Sequence, residues 1–499
     1  MKSFIAILKL TLRIAVRSNI FIMLFLLLNV LVIIIPSTVV DDGTPEGHIR
    51  VSLEYCLGAI TFILTISTIW VGCFIASGDI ENYQMHLLVV KPVSRVKIWI
   101  AKFAGVFLLH FTLLLVSGVM VYGRILYEYN RTTYTKEEKI KIENEVLLGR
   151  RVYMPVIPSV EEAVKKEYEE RLKTQKDLGL QPEKQVANPN DPMSSESYRE
   201  LQLKKDVYSK MGEVPYGPTG TRMWEYKGIR KVSNNPMFVR YRLYVDKLGK
   251  KEQRETMGQW FAKIKTPPQV IEQMRKENQN MAVANIENVF VPVTPYPEKL
   301  KGGAFIEFVL PPEVLGKDGT LMLAYANMDV EEKPVFFQLA DGPKLLVKVT
   351  GFFENYFRGL LMISIKLAFL AALSCALGGI FSMPVAVFFC ICYILLGIFS
   401  GYLIFMEEQY EEGVEQKFTL NSLDEVHDYI GKKVSRLVLA TTVPVQRLGV
   451  SDQLADGELV EYGHIGQVFF LYFILKGLPF FALCVWFYRK RELGAVTRR

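Results

Sequence analysis

The chain has 499 residues, half of them hydrophobic, and a formal net charge of +7. Those averages conceal a split, because charge is almost missing from five stretches near the two ends while the middle is as charged as a soluble protein. A wholly soluble globular fold is thereby excluded, and the pattern reads as an α-helical integral membrane protein carrying one large aqueous insertion.

Residues 1–18 place Lys2, Lys9, Arg13 and Arg17 on one helical face and Phe4, Ile5, Ile7, Leu8, Leu12, Ile14 and Ala15 over much of the rest, which predicts an interfacial helix lying in the inner headgroup layer. Its length ahead of the apolar run, with no small-x-small site after that run, favours a retained span over a cleaved signal. Asn19 to Val40, Tyr55 to Gly78 and Phe103 to Gly123 contain no Asp, Glu, Lys or Arg, and each is long enough to cross a bilayer core. Residues 1–123 therefore read as the interfacial helix and transmembrane helices 1–3.

Residues 124–355 form the expected extracytoplasmic α+β domain. Its first part, 124–221, reads as helical and irregular, with charged helical patterns at 136–148 and 160–178 and a segment rich in Pro, Asn, Ser and Gly at 181–220. Its second part, 222–350, turns to period two: Phe238, Arg240, Arg242 and Tyr244 alternate with Val239, Tyr241, Leu243 and Val245. Further strands are expected at 257–264, 288–293, 305–310, 320–326, 334–339 and 345–350, with Asp318-Gly319 and Asp341-Gly342 as turns, and the sum suggests an antiparallel β-sandwich.

Residues 356–499 hold transmembrane helices 4–6. The neutral run Leu367 to Met406 is too long for one span, and Gly378, Gly379, Ser382 and Pro384 sit where a short turn splits it. The first of these spans begins near Tyr356 and includes Lys366; the last, Gly466 to Tyr488, contains Lys476. An external loop at 407–465 and a basic tail complete the chain. Basic residues cluster before span one, after span two and after span six, so both termini are expected on the cytoplasmic side of the cytoplasmic (inner) membrane. All six cysteines fall inside expected spans, which leaves the external block to fold without a disulfide.

Between spans two and three the chain reads Asp79-Ile-Glu-Asn-Tyr-Gln-Met-His-Leu-Leu-Val-Val-Lys-Pro-Val-Ser-Arg95, followed by Lys102 and Gly105. This resembles the first cytoplasmic loop of ABC-2 type membrane permeases, the transmembrane subunits of ABC transporters. Asp79 takes the leading acid, Glu81 the second, Pro92 to Arg95 the turn and Lys102 the lysine, while Tyr83-Gln84 stand where the family has Gly-Thr. The flat N-terminal helix, six spans and basic tail are similar too, whereas the external domain lies outside the resemblance.

The resemblance implies that this loop is a coupling helix seated on a cytoplasmic ABC ATPase. Met85, Leu88 and Val89 would supply the apolar stripe that docks, Asp79, Glu81, Arg95 and Lys102 the charges around it, and Pro92 the helix end. It implies a permease, homodimeric or paired with a paralogous permease, that exports a substrate by rearranging spans one, two and five. An amphipathic interfacial helix without a coupling role would carry similar residues.

No Gly-x-x-x-x-Gly-Lys-Ser/Thr occurs in the chain, so the P-loop way of holding phosphates is closed to it. ATP and Mg are accordingly expected in a partner ATPase, with no cofactor, metal or catalytic residue in this chain, and the five scattered histidines show no ligand spacing. No Asp or Glu lies within the expected spans, which disfavours ion-coupled transport. Lys366 and Lys476 are the only full charges there, and they line a translocation path for a phosphate- or carboxylate-bearing molecule or else snorkel to an interface.

Trp224, Tyr226, Trp260 and Phe261 with Arg240 and Arg242 form either a binding face or the sandwich core. Basic residues interspersed with Glu argue against nucleic acid. The bilayer and an outside partner of 124–355 are the remaining expected contacts. The alternative function is a mechanotransmission or sensory subunit that passes movement to the external domain without a substrate crossing.

Overall fold

The computed structural model describes residues 2–17, 19–40, 43–81, 93–130, 134–156, 206–207, 210–217, 220–230, 236–245, 255–265, 288–295, 298–303, 305–316, 318–329, 332–338, 342–410, 433–436, 438–440, 442–443 and 448–490, with residue 431 and single residues between 164 and 173. The chain divides into two compact units, one of residues 1–149 with 350–499 and one of residues 150–349.

The first unit is helical. In chain order it contains α1 (Lys2–Arg17), α2 (Ile20–Thr38), α3 (Pro45–Glu81), α4 (Arg95–Tyr129), α5 (Lys136–Glu145), α6 (Phe352–Ile380), α7 (Met383–Tyr410), α8 (Ser451–Ala455) and α9 (Tyr462–Lys490). Six of these, α2, α3, α4, α6, α7 and α9, are long and apolar enough to cross a membrane, which suggests a multi-pass membrane protein. The expected division of the long neutral run falls at Phe381 and Ser382. Gly378 and Gly379 end up inside α6, and Pro384 sits in the first turn of α7, where its missing amide costs no helical bond.

α3, α4 and α6 form the interior of this unit, with α2, α7 and α9 more exposed. Small residues bring α3 and α6 together: Gly72 and Ala76 on one helix face Ser374 and Gly378 on the other, each pair at i, i+4 spacing. A Cβ on Gly72 would overlap the Ser374 side chain, and one on Gly378 would stand 2.9 Å from Ala76 Cβ and 3.0 Å from the Cys73 carbonyl. Between α3 and α4, Ser67 Oγ lies 3.0 Å from His110 Nε2, and His110 Nδ1 lies 2.8 Å from the Val106 carbonyl. A carbonyl can only accept, so Nδ1 carries the proton and the Ser67 hydroxyl donates to Nε2.

The N-terminal helix is fastened to this bundle by the face carrying Ile7, Thr11 and Ala15. Its partner is the start of α4, where a Cβ on Gly105 would lie 2.6 Å from Thr11 Cγ2. α5 opens with a reciprocal cap: Thr135 Oγ1 accepts from the Glu138 amide at 3.3 Å, and Glu138 Oε2 accepts from the Thr135 amide at 2.7 Å.

The second unit is a β-sandwich. Its strands are β1 (Leu148–Tyr153), β2 (Glu213–Val214), β3 (Thr221–Tyr226), β4 (Met237–Val245), β5 (Glu255–Lys265), β6 (Asn288–Pro292), β7 (Glu298–Lys301), β8 (Phe305–Leu310), β9 (Leu321–Asn327), β10 (Val335–Phe337) and β11 (Lys344–Gly351), the ends of β1 and β11 lying beyond the unit boundary. One sheet runs β1-β11-β4-β10-β2 with β8 on the other side of β4, and the second runs β3-β9-β5-β6 with β7 also on β5. Registers such as Trp260 opposite Tyr325 and Tyr241 opposite Ile306 turn alternate residues inward.

All seven expected strands form. β1, β2, β3 and β7 were not expected, and β1 and β2 lie in the stretch read as helical and irregular. Most of 160–178 and of 181–220 lies outside the described residues.

Candidate functional site

The junction between α3 and α4 gathers the expected coupling residues that fall among the described ones. Asp79 stands two residues before the end of α3, and Lys102 two turns into α4. Lys102 Nζ reaches Asp79 Oδ2 at 2.7 Å and also donates to the Ile75 carbonyl at 2.9 Å. Both side chains are buried, so each charge depends on the other for the solvation that water would have given.

Glu81 and Arg95 reach two other helices. Glu81 Oε1 accepts from the amide of Met383 at 3.1 Å, taking one of the donors that the first turn of α7 cannot use itself. Arg95 Nη1 donates to the carbonyls of Tyr488 at 3.2 Å and Arg489 at 2.7 Å, at the other kind of helix end, the C-terminus of α9. A carboxylate therefore holds the partially positive end of one helix and a guanidinium the partially negative end of another. Ser94 starts α4, its hydroxyl accepting from the Lys97 amide at 3.4 Å.

An apolar cluster backs these bonds, with Ile7 of α1, Ile98 and Ala101 of α4 and Tyr488 of α9 buried together against Ile80 and Val93. The described residues on either side of 82–92 are thus held to α1, α7 and α9 as well as to α3 and α4. Met85, Leu88, Val89 and Pro92 lie outside the described residues.

Lys366 and Lys476 are each the central residue of a 29-residue helix. Lys476 Nζ donates to the carbonyls of Leu439 and Thr442, the latter at 2.9 Å, and stands 5.7 Å from the Tyr472 ring centroid. Residues 469–477 around it are wound as a π-helix, and Pro479, which has no amide, follows immediately. The Val443 amide donates to Tyr393 Oη of α7 at 3.2 Å.

Leu439, Thr442 and Val443, all within the expected external loop 407–465, consequently lie beside α9 and α7. Physically, carbonyls left over at the end of a short helical stretch are met by the Lys476 ammonium. For Lys366, no hydrogen-bond or ion-pair partner is found among the described residues. Phe369, one turn further along α6, packs on Phe481 of α9 and Tyr393 of α7 with ring centroids 5.6 and 6.0 Å apart.

Trp224, Tyr226 and Trp260 belong to the core of the sandwich, whereas Phe261 is half-buried and outside that core. Trp260 is nearly fully buried, and its ring lies 5.3 Å from Trp224, 5.0 Å from Tyr241 and 5.2 Å from Tyr325. Arg240 and the buried Arg150 share the Glu307 carboxylate, and Arg242 lies over the Phe305 ring at 4.5 Å.

Sequence reasoning found no nucleophile and base together, yet Ser67 and His110 meet. No sequence signal could have paired them, since they are 43 residues apart on different helices, and full burial of His110 makes the contact a bond within the packed interior. Among the described residues, no group of three or more His, Cys, Asp or Glu could hold a metal ion. No protein-family model, curated protein or solved structure matches the chain.

Proposed function

We propose that this chain is the membrane-embedded permease subunit of an ATP-driven exporter of the ABC-2 type, multi-pass in the cytoplasmic membrane with both termini inside. A separate ATPase, which binds ATP and Mg, moves it through the 79–95 loop. One observation carries the reading: the two ends of that loop are bonded by opposite charges to the ends of two other helices, Glu81 to α7 and Arg95 to α9. A push on the loop is then delivered to α3, α4, α7 and α9 together. The buried Asp79–Lys102 pair keeps α3 and α4 in register during that push.

An interfacial helix without a coupling role would need only apolar anchoring to the headgroup layer. Helix-end bonds at both of its termini go beyond that need. Six spans resemble half of such a machine, so a second permease, identical or paralogous, completes the path.

The test is purification of the whole chain from its own cells in mild detergent. The reading expects an ATPase subunit to accompany it, and a cysteine placed in the 82–92 segment to react with impermeant thiol reagents only from the cytoplasmic side. A loop labelled from outside would overturn it.

A mechanotransmission subunit is the second reading. It is favoured by the junction at Gly351, where β11 ends and α6 begins with no residue between them. ATPase activity that responds to an external partner, with no substrate crossing, would select it.

A further inference from the structure

α1 carries its cations on the side turned away from the helices it packs against. Ile7, Thr11 and Ala15 are buried at i, i+4 spacing, while Lys9, Arg13 and Arg17 are exposed at the same spacing two residues out of step, which is about half a turn round the helix. Lys2, also exposed, precedes Lys9 by about two turns on the same side. None of the four has a hydrogen-bond or ion-pair partner among the described residues. Ile5, Leu10 and Val16, also exposed, flank them.

The next helix fixes the level of this row. Asn19 turns the chain in the left-handed conformation, with φ 58°, and α2 begins at the following residue. α2 carries no charge, and its 19 residues span about 28 Å, close to the hydrocarbon thickness of a bilayer. All of α2 is then needed to cross, which leaves Arg17 at the hydrocarbon boundary and Arg13 and Lys9 following it along α1. No Asp or Glu occurs in residues 1–40, so this cationic face has no counter-charge nearby in the sequence at the level where lipid phosphates lie.

We propose that Lys9, Arg13 and Arg17 form a docking face for anionic phospholipid, the phosphate of the headgroup on the cations and the acyl chains against Leu10 and Val16. A guanidinium matches two phosphate oxygens with paired N–H donors, and a zwitterionic head brings a cation of its own that the row repels. The net charge of the lipid therefore decides. The opposite face of α1 reaches the junction of α4 and α9: Ile7 packs with Ile98, Ala101 and Tyr488 behind the Arg95 bonds, and Thr11 meets Gly105. A lipid that holds α1 in place steadies that junction. The docking face rests only on α2 crossing a bilayer, whereas its effect on coupling rests on the permease reading.

The experiment uses the full chain in phosphatidylcholine nanodiscs, with a fluorophore on Leu10→Cys in a Cys392→Ser background, the other five cysteines being buried. Quenching is measured with phosphatidylglycerol and with phosphatidylcholine, each spin-labelled near the glycerol. The ratio of the two quenching constants should favour phosphatidylglycerol by about fivefold, the ratio that about 1 kcal/mol gives. It should fall towards unity in about 1 M salt, where the screening length is about 3 Å. Lys9→Gln, Arg13→Gln and Arg17→Gln together should abolish the preference, Arg13→Gln alone should lower it, and Lys9→Arg, Arg13→Lys and Arg17→Lys together should keep it.

Equal quenching by the two lipids, or a preference that survives the three neutral substitutions, overturns the docking face. Reversal of the preference by free glycerol phosphate assigns the row to a soluble phosphate and overturns it as well. An accompanying ATPase whose activity is the same with and without phosphatidylglycerol leaves the face standing and overturns its link to coupling.

Discussion

Lys102 on α4 places its ammonium 2.7 Å from the Asp79 carboxylate on α3, with both groups buried. Removing either partner strands a charge in the interior, so Asp79→Asn or Lys102→Met should each destabilise the protein by about 3 to 5 kcal/mol. The Asp79→Asn, Lys102→Met double variant should recover most of that loss. Unfolding curves of the four proteins in one detergent measure it, and an additive double variant would show that the pair does not act as a pair.

Glu81 and Arg95 each bond to a helix end. Glu81→Ala should cost about 1 kcal/mol through loss of a cap on α7, and Arg95→Ala a similar amount at α9. In a complex with its ATPase, each should lower transport per ATP hydrolysed by about fivefold, as 1 kcal/mol of lost coupling implies. Transport stoichiometry unchanged in both variants would remove the lever.

Gly72 offers a test in which two effects have opposite sign. Helix propensity alone predicts that Gly72→Ala stabilises α3 by about 1 kcal/mol. The Cβ would overlap Ser374, so overpacking should dominate and destabilise by about 1 to 3 kcal/mol, with Ser374→Gly as a second change restoring the loss. Thermal unfolding of the single and double variants decides the sign.

The cap of α5 sets a pH dependence. Its bond from the Thr135 amide, followed by that from the Thr135 hydroxyl, holds the Glu138 carboxyl below its ordinary value of 4.5. A depressed folded value means stabilisation that is complete above the ordinary value and is lost as pH falls through the depressed one. Protection of the amides at Thr135 and in the first turn of α5, measured relative to their intrinsic exchange rates at each pH, should therefore fall on acidification below pH 4.5, and Glu138→Gln should flatten that response.

Lys476→Met should leave the carbonyls of Leu439 and Thr442 short of a donor, at a cost of about 1 to 3 kcal/mol. Faster hydrogen exchange confined to Val438, Leu439, Thr442 and Val443 is the expected signature. Lys476→Arg, which keeps the donor, should exchange like the parent.

The sequence by itself determined the number and position of the long apolar helices, because exclusion of charge from hydrocarbon acts residue by residue and leaves its mark locally. It determined β4, β5 and β9 for a similar reason, since a strand with one buried face must alternate. The short β1 escaped because Leu148-Gly-Arg-Arg-Val-Tyr153 reads as surface. Arg150 is buried there only because Glu307, more than 150 residues later, supplies its counter-charge.

Tertiary structure alone decided what Glu81, Arg95 and Lys476 hold. Their partners are backbone amides and carbonyls at helix ends and breaks, groups that every residue carries and that become available only where packing brings an unfinished helix turn within reach. The same holds for Ser67 and His110, whose meeting depends on how α3 and α4 lie together and on nothing written near either residue.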